Sequence, residues 1–177
     1  MNNVLWFDLE TTGLDEKHHS ILSVGTRIYT GDWQLVVETH RIVRHHDICS
    51  LLWSPEALDM HRKSGLFEKL QFPAVRDDLL LIEDEIITNI LGRGAPPMLL
   101  AGNSIHFDRR FIKKYMPRLD GLLHDRMIDV SSIMEAMCLF RGMDRKTVER
   151  PCAHTPLDDI DNSISRLKTC LEYNPHE

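Results

Sequence analysis

Residues Val4-Leu5-Trp6-Phe7-Asp8-Leu9-Glu10-Thr11-Thr12-Gly13-Leu14 place two carboxylates at the end of a short apolar run. Such a run, closed by a glycine turn, predicts a buried strand. Strand side chains alternate between faces, so Asp8 and Glu10 project the same way. Two acids side by side at the end of a buried strand repel each other and lose hydration. They need a cation beside them, or one must hold a proton. A divalent metal ion suits them, because hard cations take carboxylate oxygens.

Two later stretches offer more acids. At about 100° per residue, Ser104, Ile105, Phe111, Ile112 and Tyr115 fall within about 60° of Asp108 on a helix predicted over 104–116. Asp108 therefore sits in the buried stripe, while Arg109 and Arg110 point elsewhere. It is either a paired or capping acid or a metal ligand. The last helix opens with His154-Thr155-Pro156-Leu157-Asp158-Asp159-Ile160-Asp161. Thr155 suits the N-cap and Pro156 the first helical position. Ile160, Ile164, Leu167 and Leu171 mark the inner face. Asp158 then faces solvent, and Asp159 and Asp161 occupy opposite flanks, between which periodicity does not choose. His154, in the loop before this helix, is an ordinary loop residue unless one of these acids lies beside it.

The remaining pattern predicts an α/β fold. Strands at Ile21–Tyr29 and Leu35–Val43 flank a turn at Thr30-Gly31-Asp32, giving an antiparallel meander. Ser54-Pro55 starts a helix ending near His61. A helix over 76–91 buries Leu79, Leu80, Ile82, Ile86, Ile87, Ile90 and Leu91. Short buried strands at 98–102 and 127–130 alternate with helices over 104–116, to Phe140 and over 155–173, and Pro117 stops the first of these. A meander followed by alternating strands and helices makes a mixed sheet flanked by helices. The 177 residues suit one domain, 1–177. The net charge of −6 argues against coating long nucleic acid by charge alone. No membrane span or signal pattern occurs, and Cys49, Cys138, Cys152 and Cys170 form no CxxC pair, so a reduced, cytoplasmic chain without structural zinc is expected.

Strand Asp-x-Glu, a later helical Asp, then His with Asp five positions on: this order resembles the DEDDh 3′→5′ exonucleases. The segments at 101–111, 114–117, 128–131 and 154–160, with His61 and Ser64-Gly65-Leu66, resemble the oligoribonuclease family in particular. The resemblance implies an RNase H-like mixed five-stranded sheet with helices on both sides. It makes Asp8, Glu10, Asp108 and Asp159 ligands of two Mg²⁺ or Mn²⁺ ions and His154 the general base. It implies a homodimer acting on short single-stranded RNA, down to dinucleotides, with single-stranded DNA ends as the alternative substrate and an inactive binding protein as a third reading. Asn103, Ser104 and Arg126 are then the groups expected on the substrate phosphate, with His61 also expected at the substrate. Leu14 either packs in the core or wedges between bases. Arg126 is otherwise a surface ion-pair partner. Arg109, Arg110, Lys113, Lys114 and Arg118 are expected as a solvated face, with steering of nucleic acid as the lesser alternative. The sequence departs from the family at Thr11, where Met is usual, at Asp125, where Tyr is usual, and at Trp53 and Glu56.

Overall fold

The computed structural model describes residues 3–72, 76–93, 96–148 and 154–174. Its organising element is strand β1, Val4–Thr11, in the interior of a mixed sheet. On one side β1 pairs antiparallel with β2 (Ile21–Tyr29), which pairs with β3 (Leu35–Val43). On the other side it runs parallel to β5 (Met98–Gly102), which pairs with β6 (Leu123–Asp129). These are the five expected strands. A two-residue strand, β4 (Arg76–Asp77), adds to the free edge of β3, for the order β4-β3-β2-β1-β5-β6.

Helices α1 (Pro55–Lys63), α2 (Leu66–Lys69), α3 (Leu79–Arg93), α4 (His106–Tyr115), α5 (Pro117–Asp120), α6 (Val130–Arg141) and α7 (Pro156–Glu172) complete the chain. The period-two alternation of β1 sorts the two layers. Leu5, Phe7 and Leu9 pack with Ile82, Ile86 and Ile90 of α3 and Phe111 and Ile112 of α4. Trp6 packs on the opposite face with Ile160, Ile164 and Leu167 of α7 and Val130 of α6. Asp8 and Glu10 share the parity of Trp6, so they lie in the α7 layer.

Several boundaries differ from the sequence expectation. The helix expected from Arg76 starts at Leu79, because the Asp78 carboxylate accepts from Leu80 N at 2.9 Å and caps the first turn. Arg76 and Asp77 are left extended and form β4. Leu80 and Leu91 are 62% and 58% exposed rather than buried. In their place α3 buries Glu83, whose carboxylate accepts from Arg118 N (2.9 Å) and Leu119 N (3.0 Å) at the start of α5. Pro117 therefore opens a short helix instead of only closing one. Ser104 has φ +52° and stands outside α4. The strand expected as buried at 127–130 begins earlier, at Leu123, and is an exposed edge, while Val130 opens α6. Residues 149–153, including Cys152, lie outside the described set.

One glycine fixes the approach of the last helix. A Cβ on Gly25, which pairs with Asp8 across β1–β2, would sit 2.4 Å from Pro156 Cβ. Only glycine lets the N-terminus of α7 press onto the sheet beside Asp8. Gly25→Ala is predicted to cost about 1–3 kcal/mol in denaturant melts, the usual range for overpacking. Gly121→Ala, whose Cβ meets nothing closer than 3.5 Å at ordinary helical φ, serves as the control and stays within about 1 kcal/mol of wild type. Equal stabilities for the two variants would contradict the close approach.

Candidate active site

The β1–β5 ladder ends at Trp6↔Ala101, so the two strands part below Asp8. Crevices at the carboxyl ends of parallel strands, where neighbouring connections diverge, are where open α/β sheets bind ligands. Asp108 fills this one. It is 4% exposed, and its Oδ1 accepts from the Leu9 backbone N at 3.0 Å. The stripe position expected for Asp108 is thus met, and its neighbour Arg109 turns away to Asp120 and to the His124 carbonyl.

From the α7 layer comes Asp159. One oxygen each from Asp8, Glu10 and Asp159 lie within 4.8 Å of one another. The choice that periodicity left open is made by β2: Arg27 pairs with Asp161 and with Glu38, and so draws Asp161 out of the site. Asp158 accepts from the Thr155 hydroxyl at the helix start and remains exposed. Arg27 was missed in the sequence; the signal available was a lone charge in an otherwise uncharged strand.

Burial and mutual repulsion set the electrostatics. Asp8 is pushed well above the usual carboxylate range, first by burial, then by Asp108, Glu10 and Asp159. Glu10 is raised to about 8, by burial and then by Asp159. Asp108 is raised chiefly by burial, against the opposing hydrogen bond from Leu9 N. Acids so placed hold protons unless a cation replaces them. An all-oxygen donor set of this spacing fits a hard divalent ion.

Two histidines flank the acids. His154, at φ +53° before α7, lines with Glu10, Ser23, His40 and Thr155 a cavity of about 20 Å³, room for roughly one water. His61 does not meet the expectation of direct substrate contact: it is fully buried. Its Nε2 lies 2.9 Å from the Thr11 carbonyl and its Nδ1 3.7 Å from Glu10 Oε2. It backs Glu10 from inside the protein.

Leu14 is 75% exposed, so it is not a core residue. It edges an apolar cavity of about 540 Å³, lined also by Thr11, Ala57, Met60 and Arg110. Asn103 and Ser104 gather around Ser131, which sequence reading missed as a site residue. The Ser131 hydroxyl donates to Asn103 Oδ1 at 3.0 Å, accepts from Ser104 N at 2.9 Å and lies 2.8 Å from Ser104 Oγ. The three sit at the N-terminus of α6. Arg126 is exposed on β6, two strands from β1, and is not drawn into the carboxylate cluster. The expected solvated basic face is largely paired: Arg109 is buried, Arg110 reaches Glu16, and Arg118 holds Glu83 and Asp84.

A sequence profile of the exonuclease family matches residues 5–167. The chain has the architecture of solved exonucleases: TM-score 0.75 to E. coli exonuclease I in complex with a 5cy-dT13 oligonucleotide (14% identity, 99% of this chain, 42% of that one). S. pombe Pop2p superposes with TM-score 0.71 (13% identity, 96% of this chain, 83% of that one). Fold and carboxylate site thus define a metal-dependent exonuclease domain of RNase H-like architecture.

Among curated relatives, an oligoribonuclease of Corynebacterium glutamicum is 38% identical over 94% of this chain and 77% of its own length. One from Photobacterium profundum is 31% identical over 97% and 94%. The chain belongs to the oligoribonuclease family.

The raised pKa of Glu10 gives a pH signature. The protonated form favours the metal-free fold: that contribution is complete below about pH 4.5, the ordinary value, and is lost as pH rises through about 8. Metal-free protein is therefore predicted to lose thermal stability across this window. Excess Mn²⁺ restores it, with a larger Tm shift at pH 8 than at pH 5. Glu10→Gln flattens the metal-free curve; an unchanged slope in that variant would contradict the assignment.

Proposed function

We propose that this chain is a 3′→5′ exoribonuclease that hydrolyses short oligoribonucleotides, down to dinucleotides, to 5′-mononucleotides. The observation carrying this reading is the convergence of Asp8, Glu10 and Asp159, with Asp108 behind them in the split between β1 and β5. These four carboxylates would hold two Mg²⁺ or Mn²⁺ ions. When bound, such ions stabilise negative charge on the phosphoryl and leaving oxygens and make the attacking water more acidic.

The chain's own groups do the rest. His154, in its loop beside Glu10, takes the proton from the attacking water. Its place outside the acidic triad lets it act on water without serving as a ligand. His61, hydrogen-bonded to the Thr11 carbonyl, packs behind Glu10 and limits its movement. Leu14, exposed at the edge of the apolar cavity, packs against a nucleobase. The paired Ser104 and Ser131 hydroxyls beside the start of α6 receive a terminal phosphate by hydrogen bonding. Asn103 orients Ser131, and Arg126 adds a cation from the edge strand.

We also read the domain as spanning 1–177 and the protein as a cytoplasmic homodimer. Leu139 and Phe140 of α6 are 75% and 79% exposed, and they follow the exposed edge strand β6. Two large apolar side chains left bare at the end of α6 favour burial against a second copy. No described helix is long and apolar enough to cross a membrane.

A second reading, single-stranded DNA as substrate, is favoured by Thr11 at the rim of the pocket. Incubation of 5′-labelled RNA and DNA of two to seven nucleotides, with and without Mg²⁺ or Mn²⁺, separates the two. Stepwise loss of 3′ mononucleotides from RNA in preference to DNA is expected, and only with metal. Asp8→Ala and Asp159→Ala should abolish turnover while melting as folded proteins. His154→Ala should lower kcat by about 10²–10⁴-fold yet keep metal binding by calorimetry. Wild-type turnover in either aspartate variant would refute the ligand assignment.

A further inference from the structure

Beyond the Leu14 cavity lies a second opening, of about 360 Å³, that the proposed mechanism does not use. Lys17, Arg110, Lys113 and Lys114 line it, with Glu16 as their single anionic neighbour in the lining. Such a concentration of cations stands out on a chain of net charge −6. Lys114 anchors the shelf: its Nζ donates to the carbonyls of Glu16 (2.5 Å) and Lys17 (3.0 Å). Arg110 lies 3.5 Å from Glu16 Oε2 and donates to the Leu14 carbonyl at 3.4 Å, yet stays half exposed. Glu16 offsets one of these four cations, through Arg110, and the lining keeps a positive excess. Lys17 and Lys113 are exposed, and their ammonium groups make no hydrogen bond or ion pair among the described residues. Elsewhere on the same helix pair the cations are consumed, Arg109 by Asp120 and Arg118 by Glu83 and Asp84.

Position tells what the shelf serves. Arg110 lines both openings, and Thr11, which follows the ligand Glu10, lines the Leu14 cavity. Arg110 thus joins the Leu14 cavity, whose lining also carries Asp15 and Glu56, to the exposed lysines. An extended single strand presents a phosphodiester at every step, and single-stranded nucleic-acid grooves combine an apolar stacking surface with cations along the backbone.

We propose that this shelf binds the phosphates of an RNA strand extending beyond the nucleotide at Leu14, and so sets how the enzyme ranks substrates by length. The inference rests on the exoribonuclease reading. A dinucleotide has one internal phosphodiester, which the carboxylate site takes, so it leaves the shelf unfilled.

The test compares wild type with the double variant Lys17→Ala/Lys113→Ala on RNA dimers and heptamers between 50 and 200 mM salt. Both lysines are exposed, so the variant should melt like wild type. On the heptamer, kcat/KM should fall about fivefold, from two surface charge contacts. The log–log salt slope should become shallower by about 1.4, for two phosphate contacts on a single strand. Dimer turnover should not change. An unchanged heptamer rate and salt slope, or an equal loss on both lengths, would overturn the shelf. A wild-type enzyme inactive on the dimer and heptamer alike would instead overturn the functional reading and the shelf with it.

Discussion

Repulsion among buried carboxylates is the constraint on which the structure turns. Asp8, Glu10 and Asp159 bring oxygens within 4.8 Å of one another, and Asp108 adds its charge from the crevice. Left alone, such a group takes up protons, which explains why Asp8, Glu10 and Asp108 all sit above the usual carboxylate range. Bound protons or a cation must relieve that cost, and perturbed acids of this kind cluster at functional sites. The arrangement of the acids suits a divalent cation, in keeping with a metal-dependent exonuclease family.

Holding the acids together requires rigidity from three directions. β1 contributes Asp8 and Glu10 with the alternation of a strand that stays paired to β2 after it has left β5. α7 contributes Asp159 because Gly25 lets Pro156 settle on the sheet and Arg27 removes the competing Asp161. α4 contributes Asp108 because β1 and β5 part after Trp6, leaving Leu9 N to be satisfied by a side chain. His61 then closes the site from below, filling buried space behind Glu10 and tying itself to the Thr11 carbonyl. Leu14 and the lysines of the basic shelf are, by contrast, exposed. The division suits an enzyme that must fix metal positions yet accept strands of varied sequence.

Much of this was legible in the sequence because the signals are local. Period-two alternation placed Asp8 and Glu10, helical periodicity placed Asp108, and the Thr155-Pro156 start placed the head of α7. What stayed illegible depends on partners distant along the chain. Asp159 could not be told from Asp161 without Arg27 on β2. Glu83 reads as an exposed acid until the N–H groups of Arg118 and Leu119 arrive 35 and 36 residues later. His61 is expected at the substrate from the resemblance alone, and its burial behind Glu10 depends on the Thr11 carbonyl, 50 residues earlier. The early part of β6, Leu123 to Arg126, is polar because it is an edge, so it lacks the apolar run by which buried strands are recognised.

The central claim, that these acids form a cage for divalent cations, is tested most directly by anomalous diffraction from Mn²⁺-soaked crystals. The account predicts strong anomalous peaks between the oxygens of Asp8, Glu10 and Asp159, with one on the Asp108 side. Crystals saturated with Mn²⁺ that show no peak among these side chains, or that place the ions on other residues, would contradict it.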